Sequence, residues 1–239
     1  MIKIFFLAAL TIFLSTVLKG QQTVINDANA EVRVLGSFSA ITISGGIDLY
    51  LSQGEEDGVA VSAAEINNRD HIKTTVNNGV LRIWYQNDGW KYKSGNKKMI
   101  AYVSFKSIRA LTASGSSDVF VNGMIKVAAF NIKLSGASDF KGHIETHKLA
   151  IDQSGASDAI VTGKAPDLNI EASGASNFKG YDLDTENCTA KASGASDIKI
   201  TVSKELYATA SGASSIYYKG EGVPKELRLT GASNVTRKK

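Results

Sequence analysis

A carboxylate or its amide returns about every 19 residues through the C-terminal half of the chain. The positions are Asp118, Asp139, Asp158, Asn177, Asp197 and Asn234, with Ser215 breaking the run. Brought into one column, such groups could bind a cation or act as acids and bases on an acidic polysaccharide. Calcium-binding solenoids use a nine-residue Gly-Gly-x-Gly-x-Asp repeat, which this chain lacks. The preferred reading is structural: each side chain holds a backbone corner, and no metal or cofactor is expected. Histidine chemistry is sparse, with only His71, His143 and His147 available. His143 and His147 flank Glu145, but residues four apart on extended chain lie about 13 Å apart. They read as part of a solvent-exposed loop. No nucleophile elbow, Walker loop or histidine–cysteine pairing is present, and no catalytic residue is assigned.

A second candidate does not repeat. Trp84-Tyr85-Gln86-Asn87-Asp88-Gly89-Trp90-Lys91-Tyr92-Lys93 runs on to Lys97-Lys98. Trp84 alternates with Leu81 and Ile83 and reads as core. Trp90 and Tyr92 follow a turn signal and sit among Lys91 and Lys93. Exposed aromatics beside polar donors suit sugar rings or a protein partner. The alternative is a hairpin tip whose aromatics fold back onto the cap.

The elements that position these groups follow from one phrase, Ser-Gly-Ala-Ser-Asp. Its glycines are Gly115, Gly136, Gly155, Gly174, Gly194, Gly212 and Gly231, spaced 21, 19, 19, 20, 18 and 19 residues apart. A fixed period of this size is the mark of a solenoid. Two, four and six residues before the glycine sit apolar residues such as Leu134, Ile132 and Phe130, with polar Asn131 and Lys133 between them. Period two means strand, with one face buried and one wet. Another apolar column comes four residues after it: Val119, Phe140, Ala159, Phe178, Ile198, Ile216 and Val235. Each coil is therefore a strand, a small-residue corner and a second strand. A further glycine (Gly123, Gly142, Gly163, Gly180, Gly220) reads as another bend. The fold expected is all-β: a parallel β-solenoid, or β-helix, of roughly 19-residue coils, right-handed by the default for parallel connections.

Stacked coils place like residues about 4.8 Å apart, and a carboxylate column at that spacing repels itself. Lys141, Lys179 and Lys199, two residues further on, are placed to offset it. On the other strand the outward run Lys133, Asp152, Glu171, Lys191 makes opposite charges neighbours.

Residues 1–20 read as a secretory signal: Lys3, an apolar run from Ile4 to Leu14, and a cleavage point near Gly20. Residues 21–37 form a leader, 38–110 an irregular β cap with the first coils, and 111–236 the repetitive solenoid; 38–236 is one continuous domain. Lys73–Val76 and Val80–Tyr85 flank Asn77-Asn78-Gly79, a hairpin signal. The tail Thr236-Arg237-Lys238-Lys239 is expected to blunt the far end with charge. Without Lys3 and Lys19 the chain carries 25 basic and 23 acidic residues, which is no nucleic-acid signature. No membrane span is expected after cleavage. Cys188, the single cysteine, can form no intrachain disulfide and falls at an inward position.

Ile41-Thr42-Ile43-Ser44-Gly45-Gly46-Ile47-Asp48-Leu49, then a hairpin, then serial Ser-Gly-Ala-Ser-Asp corners, resembles the family called putative auto-transporter adhesin, head GIN domain. The resemblance covers roughly residues 38–220. Where the family name implies Gly-Ile-Asn, this chain has Gly46-Ile47-Asp48. The resemblance implies a β-helical protein with an export signal, of a family common in Bacteroidetes and related bacteria. The expected function is a non-enzymatic binding or adhesion module of the cell envelope, facing a surface glycan or an envelope protein from the periplasm, the outer-membrane surface or the exterior. Two alternatives stand: a polysaccharide-active β-helix enzyme, and a periplasmic structural protein without ligand.

Overall fold

The computed structural model describes residues 27–86 and 98–239. Its strands stack in parallel as two continuous ladders joined by the Ser-Gly-Ala-Ser corner. One ladder holds the legs before the corner, such as Ala129–Leu134, Lys148–Gln153 and Asp167–Ala172. The other holds the legs after it, such as Phe140–Glu145 and Asp158–Lys164. Each leg alternates buried and exposed side chains, as the period-two pattern requires. The fold is the parallel β-solenoid expected from the repeat.

The coils do not stack in sequence order. Ala40–Ser44 pairs in parallel with Val80–Tyr85 on one side and with Ala110–Ser114 on the other. Ile47–Gln53 likewise lies between Met99–Phe105 and Val119–Lys126. The chain therefore enters at the second coil, leaves it, builds the outermost coil from Val80–Tyr85 and Met99–Phe105, and crosses back to the third. The segment between makes the cap. Gly58–Ala63 runs antiparallel to Met99–Phe105, and Glu31–Arg33 runs antiparallel to Gly58–Ala63. Ile72–Asn77 runs antiparallel to Val80–Tyr85 across a two-residue turn at Asn78 (φ 50°) and Gly79 (φ 72°). These strands occupy edges that would otherwise be open for pairing.

Matching letters become touching neighbours at the corner. The Gly45, Gly115, Gly136, Gly155, Gly174, Gly194, Gly212 and Gly231 backbones all have φ between 73° and 90°. Ala137, Ala156, Ala175 and Ala195 each donate their N–H to the glycine carbonyl one coil back, at 2.7–2.9 Å. Ser157, Ser176, Ser196 and Ser214 are buried, and each hydroxyl donates to the carbonyl three residues earlier in its own corner. Variation in coil length is absorbed elsewhere. The register shifts fall between Lys141 and His143, Ile160 and Gly163, Gly180 and Asp184, and Thr185 and Asn187. These lie in the leg after the corner or beyond it; one more, between Leu206 and Tyr207, falls early in a leg before the corner, and the corner keeps its frame while spacing runs from 18 to 21 residues.

Three expectations are corrected. Gly142 and Gly180 are not bends: both have ordinary φ, and a Cβ there would meet the Phe140 ring at 2.9 Å and the Phe178 ring at 2.5 Å. Their lack of a side chain makes room for those rings. Coils without a phenylalanine fill the same space with Val161 or Ile200. Trp84 is not core. It shares the outward face with Arg82, whose guanidinium lies 5.8 Å from its ring. His143 is exposed but stands on the strand Phe140–Glu145, because its coil has no loop there.

Candidate functional site

The outward column three residues past each corner glycine begins at Asp48 and continues through Asp118, Asp139, Asp158, Asn177, Asp197, Ser215 and Asn234. Ser44-Gly45-Gly46-Ile47-Asp48 is thus a corner copy, in frame with the later seven. Most contacts in the column bind neighbouring coils. Asp118 Oδ1 accepts the Asp139 N–H at 3.2 Å, and Asp139 Oδ1 accepts the Asp158 N–H at 3.1 Å. Asn177 Nδ2 donates to Asp158 Oδ1 at 2.8 Å, and Lys179 Nζ lies 3.3 Å from Asp158 Oδ2. Burial, and then the Asp118 charge, push the Asp48 carboxyl above its usual range, against Lys98. Burial raises Asp139 as well, with Asp118 and Asp158 adding to it, against the Asp158 N–H and Lys179.

This geometry is that of a ladder. Carboxylate oxygens point at the backbone of the next coil, and among the described residues no three His, Cys, Asp or Glu side chains converge on a metal position. His143 Nδ1 is spent on the Thr162 hydroxyl at 2.9 Å. Cys188 is buried, and burial pushes its thiol far above the usual range.

The next outward column, two residues further on, is of a different character. Its register runs Tyr102, Tyr50, Phe120, Lys141, Ile160, Lys179, Lys199, Tyr217, Thr236. Tyr50 stacks on Tyr102 with centroids 5.7 Å apart and on Phe120 at 5.3 Å, both at 28° between planes. Three half-buried rings thus form a stacked aromatic strip near the capped end, followed along the column by Lys141, Ile160, Lys179 and Lys199. Tyr102 is held in place by donating to Asp27 Oδ2 at 2.9 Å. Burial, and then Asp27, raise the Tyr102 phenol to about 12. At the far end Lys219 lies 4.9 Å from the Tyr181 ring and Lys238 lies 4.6 Å from the Tyr217 ring.

The leg before the corner carries charge in alternation: Lys133 Nζ lies 2.9 Å from Asp152 Oδ2, and Lys191 Nζ lies 2.6 Å from Glu171 Oε1. Trp90, Lys91, Tyr92 and Lys93 lie outside the described residues. In the sequence they fall between the two legs of the coil that supplies Tyr102. The aromatic strip has little signal in sequence. Tyr50, Tyr102 and Phe120 are outward positions of ordinary strands, and only the crossed coil order brings them together.

Residues 37–222 match the model of the family putative auto-transporter adhesin, head GIN domain. The chain belongs to this family. Its fold is also that of several solved structures. A crystal structure of a putative adhesin from Bacteroides fragilis superposes with a TM-score of 0.76 at 21% identity, over 87% of this chain and 96% of that one. A putative lipid binding protein from Parabacteroides distasonis gives 0.66 at 20% identity, over 89% and 98%. A putative adhesin from Parabacteroides merdae gives 0.62 at 18%, over 88% and 95%. No curated protein matches the chain in sequence. Among the described residues, no helix is long and apolar enough to cross a membrane.

Proposed function

We propose that this head GIN protein is a non-enzymatic binding module of the bacterial envelope or its exterior, and that it meets its partner through the outward face of the leg after the corner. The observation that carries the reading is Tyr50 stacked between Tyr102 and Phe120. Three rings stacked one against the next on stiff strands make a rigid apolar ridge on which a sugar ring can lie, and Lys141 and Lys179 along the same column supply donors. The ligand class proposed is a glycan of the cell surface. The adhesin description of the family agrees with a binding role. Trp90 and Tyr92, flanked by Lys91 and Lys93, are proposed to extend this face. Export through residues 1–20 belongs to the same reading, as does the periplasm, outer-membrane surface or exterior as the place of action.

The test is retention on an array of envelope and mucosal glycans. Tyr50→Ala with Phe120→Ala is expected to abolish retention and to leave the far-UV circular dichroism spectrum unchanged. Lys133→Ala, on the other leg, is expected to leave retention intact. Equal retention by the aromatic double variant and the parent chain would overturn the reading.

A further inference from the structure

The two ends of the solenoid are built differently. At one end, antiparallel strands cover both legs of the outermost coil. At the other, Val223–Leu229 and Asn234–Arg237 pair only with the preceding coil. Leu227 and Leu229 stand in the inward columns of Ala208 and Ala210, yet both are 48% exposed, with no further strand among the described residues laid over them. Val223 is 55% exposed beside them. The basic tail does not cover this surface. Arg237 reaches back to the Gly220 carbonyl at 2.6 Å and to Glu221, and Lys238 turns onto Tyr217.

The hydrogen-bonding groups of this edge are aimed outward. Thr230 N–H donates back to the Ala210 carbonyl. Alternate residues of a strand bond to opposite sides, so the N–H and C=O of Leu227 and Leu229 face away from the solenoid. We propose that this end is a dimerisation surface, occupied by the same end of a second copy, with Lys225–Leu229 pairing antiparallel to itself about Leu227. The register explains the choice of occupant. Centred on Leu227, it sets Leu227 against Leu227 as a mutually bonded pair on the inward side. It also sets Glu226 opposite Arg228 of the second copy, twice, on the outward side. In one chain Glu226 and Arg228 are already ion-paired, so the dimer makes an alternating quartet of charges. A parallel, fibre-forming stack is blocked, since the equivalent edges at the other end are taken by the cap. The interface closes at two copies, as an isologous contact does. It also presents two binding faces, joined rigidly, which would strengthen attachment to a repetitive surface. The inference stands without that binding role, and its test needs no ligand.

Light scattering on the processed chain should give twice the monomer mass at high concentration. Leu227→Lys sets two like charges against each other on the two-fold axis and should raise the dissociation constant by about 100-fold or more. A second variant reads the register directly. Paired residues of this kind have Cα atoms about 5.5 Å apart, within disulfide reach. Leu227→Cys should therefore give a disulfide-linked dimer on mild oxidation, while Tyr207→Cys, outward and one coil inside, should not. Should Leu227→Lys fail to fold, the cysteine pair still decides. A monomer at every concentration, or a dimer that forms with Leu227→Lys folded and gives no Leu227→Cys link, overturns the proposal.

Discussion

A methyl group on Gly155 would sit 2.4 Å from the carbonyl oxygen of Gly136, its equivalent one coil back. That oxygen is already taken by the Ala156 N–H at 2.7 Å. The glycine column is therefore required twice, for its left-handed backbone and for the approach of the next coil. Gly155→Ala is expected to cost about 2–5 kcal/mol, the sum of backbone strain and forced displacement. Gly46 has φ 73° with nothing within 4 Å of a Cβ. Gly46→Ala should cost only the strain, about 1–2 kcal/mol. Urea melts of the two variants separate the terms; equal losses would mean that the stacking contact contributes nothing.

The pairing of Phe178 with Gly180 gives a sharper test. A Cβ on Gly180 would lie 2.5 Å from the Phe178 ring. Gly180→Ala should destabilise by about 1–3 kcal/mol through overpacking, and Phe178→Ala by about 3–5 kcal/mol through the cavity it leaves. Together they should cost less than the sum by about 1 kcal/mol or more, since the new methyl occupies space the ring vacates. The adjacent coil already uses this solution, with Ala159 and Val161 at the matching positions. Additive losses would show that the two sites do not share one space.

Legibility followed the physics of each position. The corner could be read because glycine, serine and aspartate there satisfy a local backbone demand, so the demand prints itself in every coil. Ser44-Gly45-Gly46-Ile47-Asp48 was harder, since Ile47 replaces the buried serine and donates its N–H to Ser117 Oγ instead. The order of the first coils left no trace, because Ala40–Ser44 makes the same kind of strand contact with Val80–Tyr85 as with Ala110–Ser114. The aromatic strip depends on that order and was hidden with it. Gly142 and Gly180 look like Gly163 in sequence, yet of the three only Gly163, at φ 112°, has a left-handed backbone, and it stands within the strand Asp158–Lys164.

Cys188 offers a probe of the whole stack. It lies inside the core, level with Leu168 and Leu206 in the neighbouring coils, and burial pushes its thiol well above the usual range. Thiolate is the reactive form, so the native chain should not be labelled by a disulfide reagent at neutral pH. Labelling should appear at the urea concentration where circular dichroism reports unfolding, because coils paired on both sides open only with the rest. Labelling well below that midpoint would mean that these central coils open on their own.

The carboxylate column should make stability depend on pH in an unusual direction. Asp48 and Asp139 are both raised above 3.8, chiefly by burial and then by their acidic neighbours. An acid that binds its proton more tightly when folded costs stability at neutral pH. That cost disappears as pH falls through the raised value to the unfolded one. Asp139→Asn keeps an Oδ1 acceptor for the Asp158 N–H and removes the charge. Asn177 already plays this part in its own coil, donating to Asp158. Relief of like charges on adjacent strands is worth about 0.2–1 kcal/mol, so Asp139→Asn should melt higher than the parent at pH 7. Below about pH 3, where both forms of residue 139 are neutral, the two melting temperatures should converge. A variant that melts lower at pH 7 would show that Asp139 is held by attraction, and an advantage that persists in acid would show that the gain does not come from relieved repulsion.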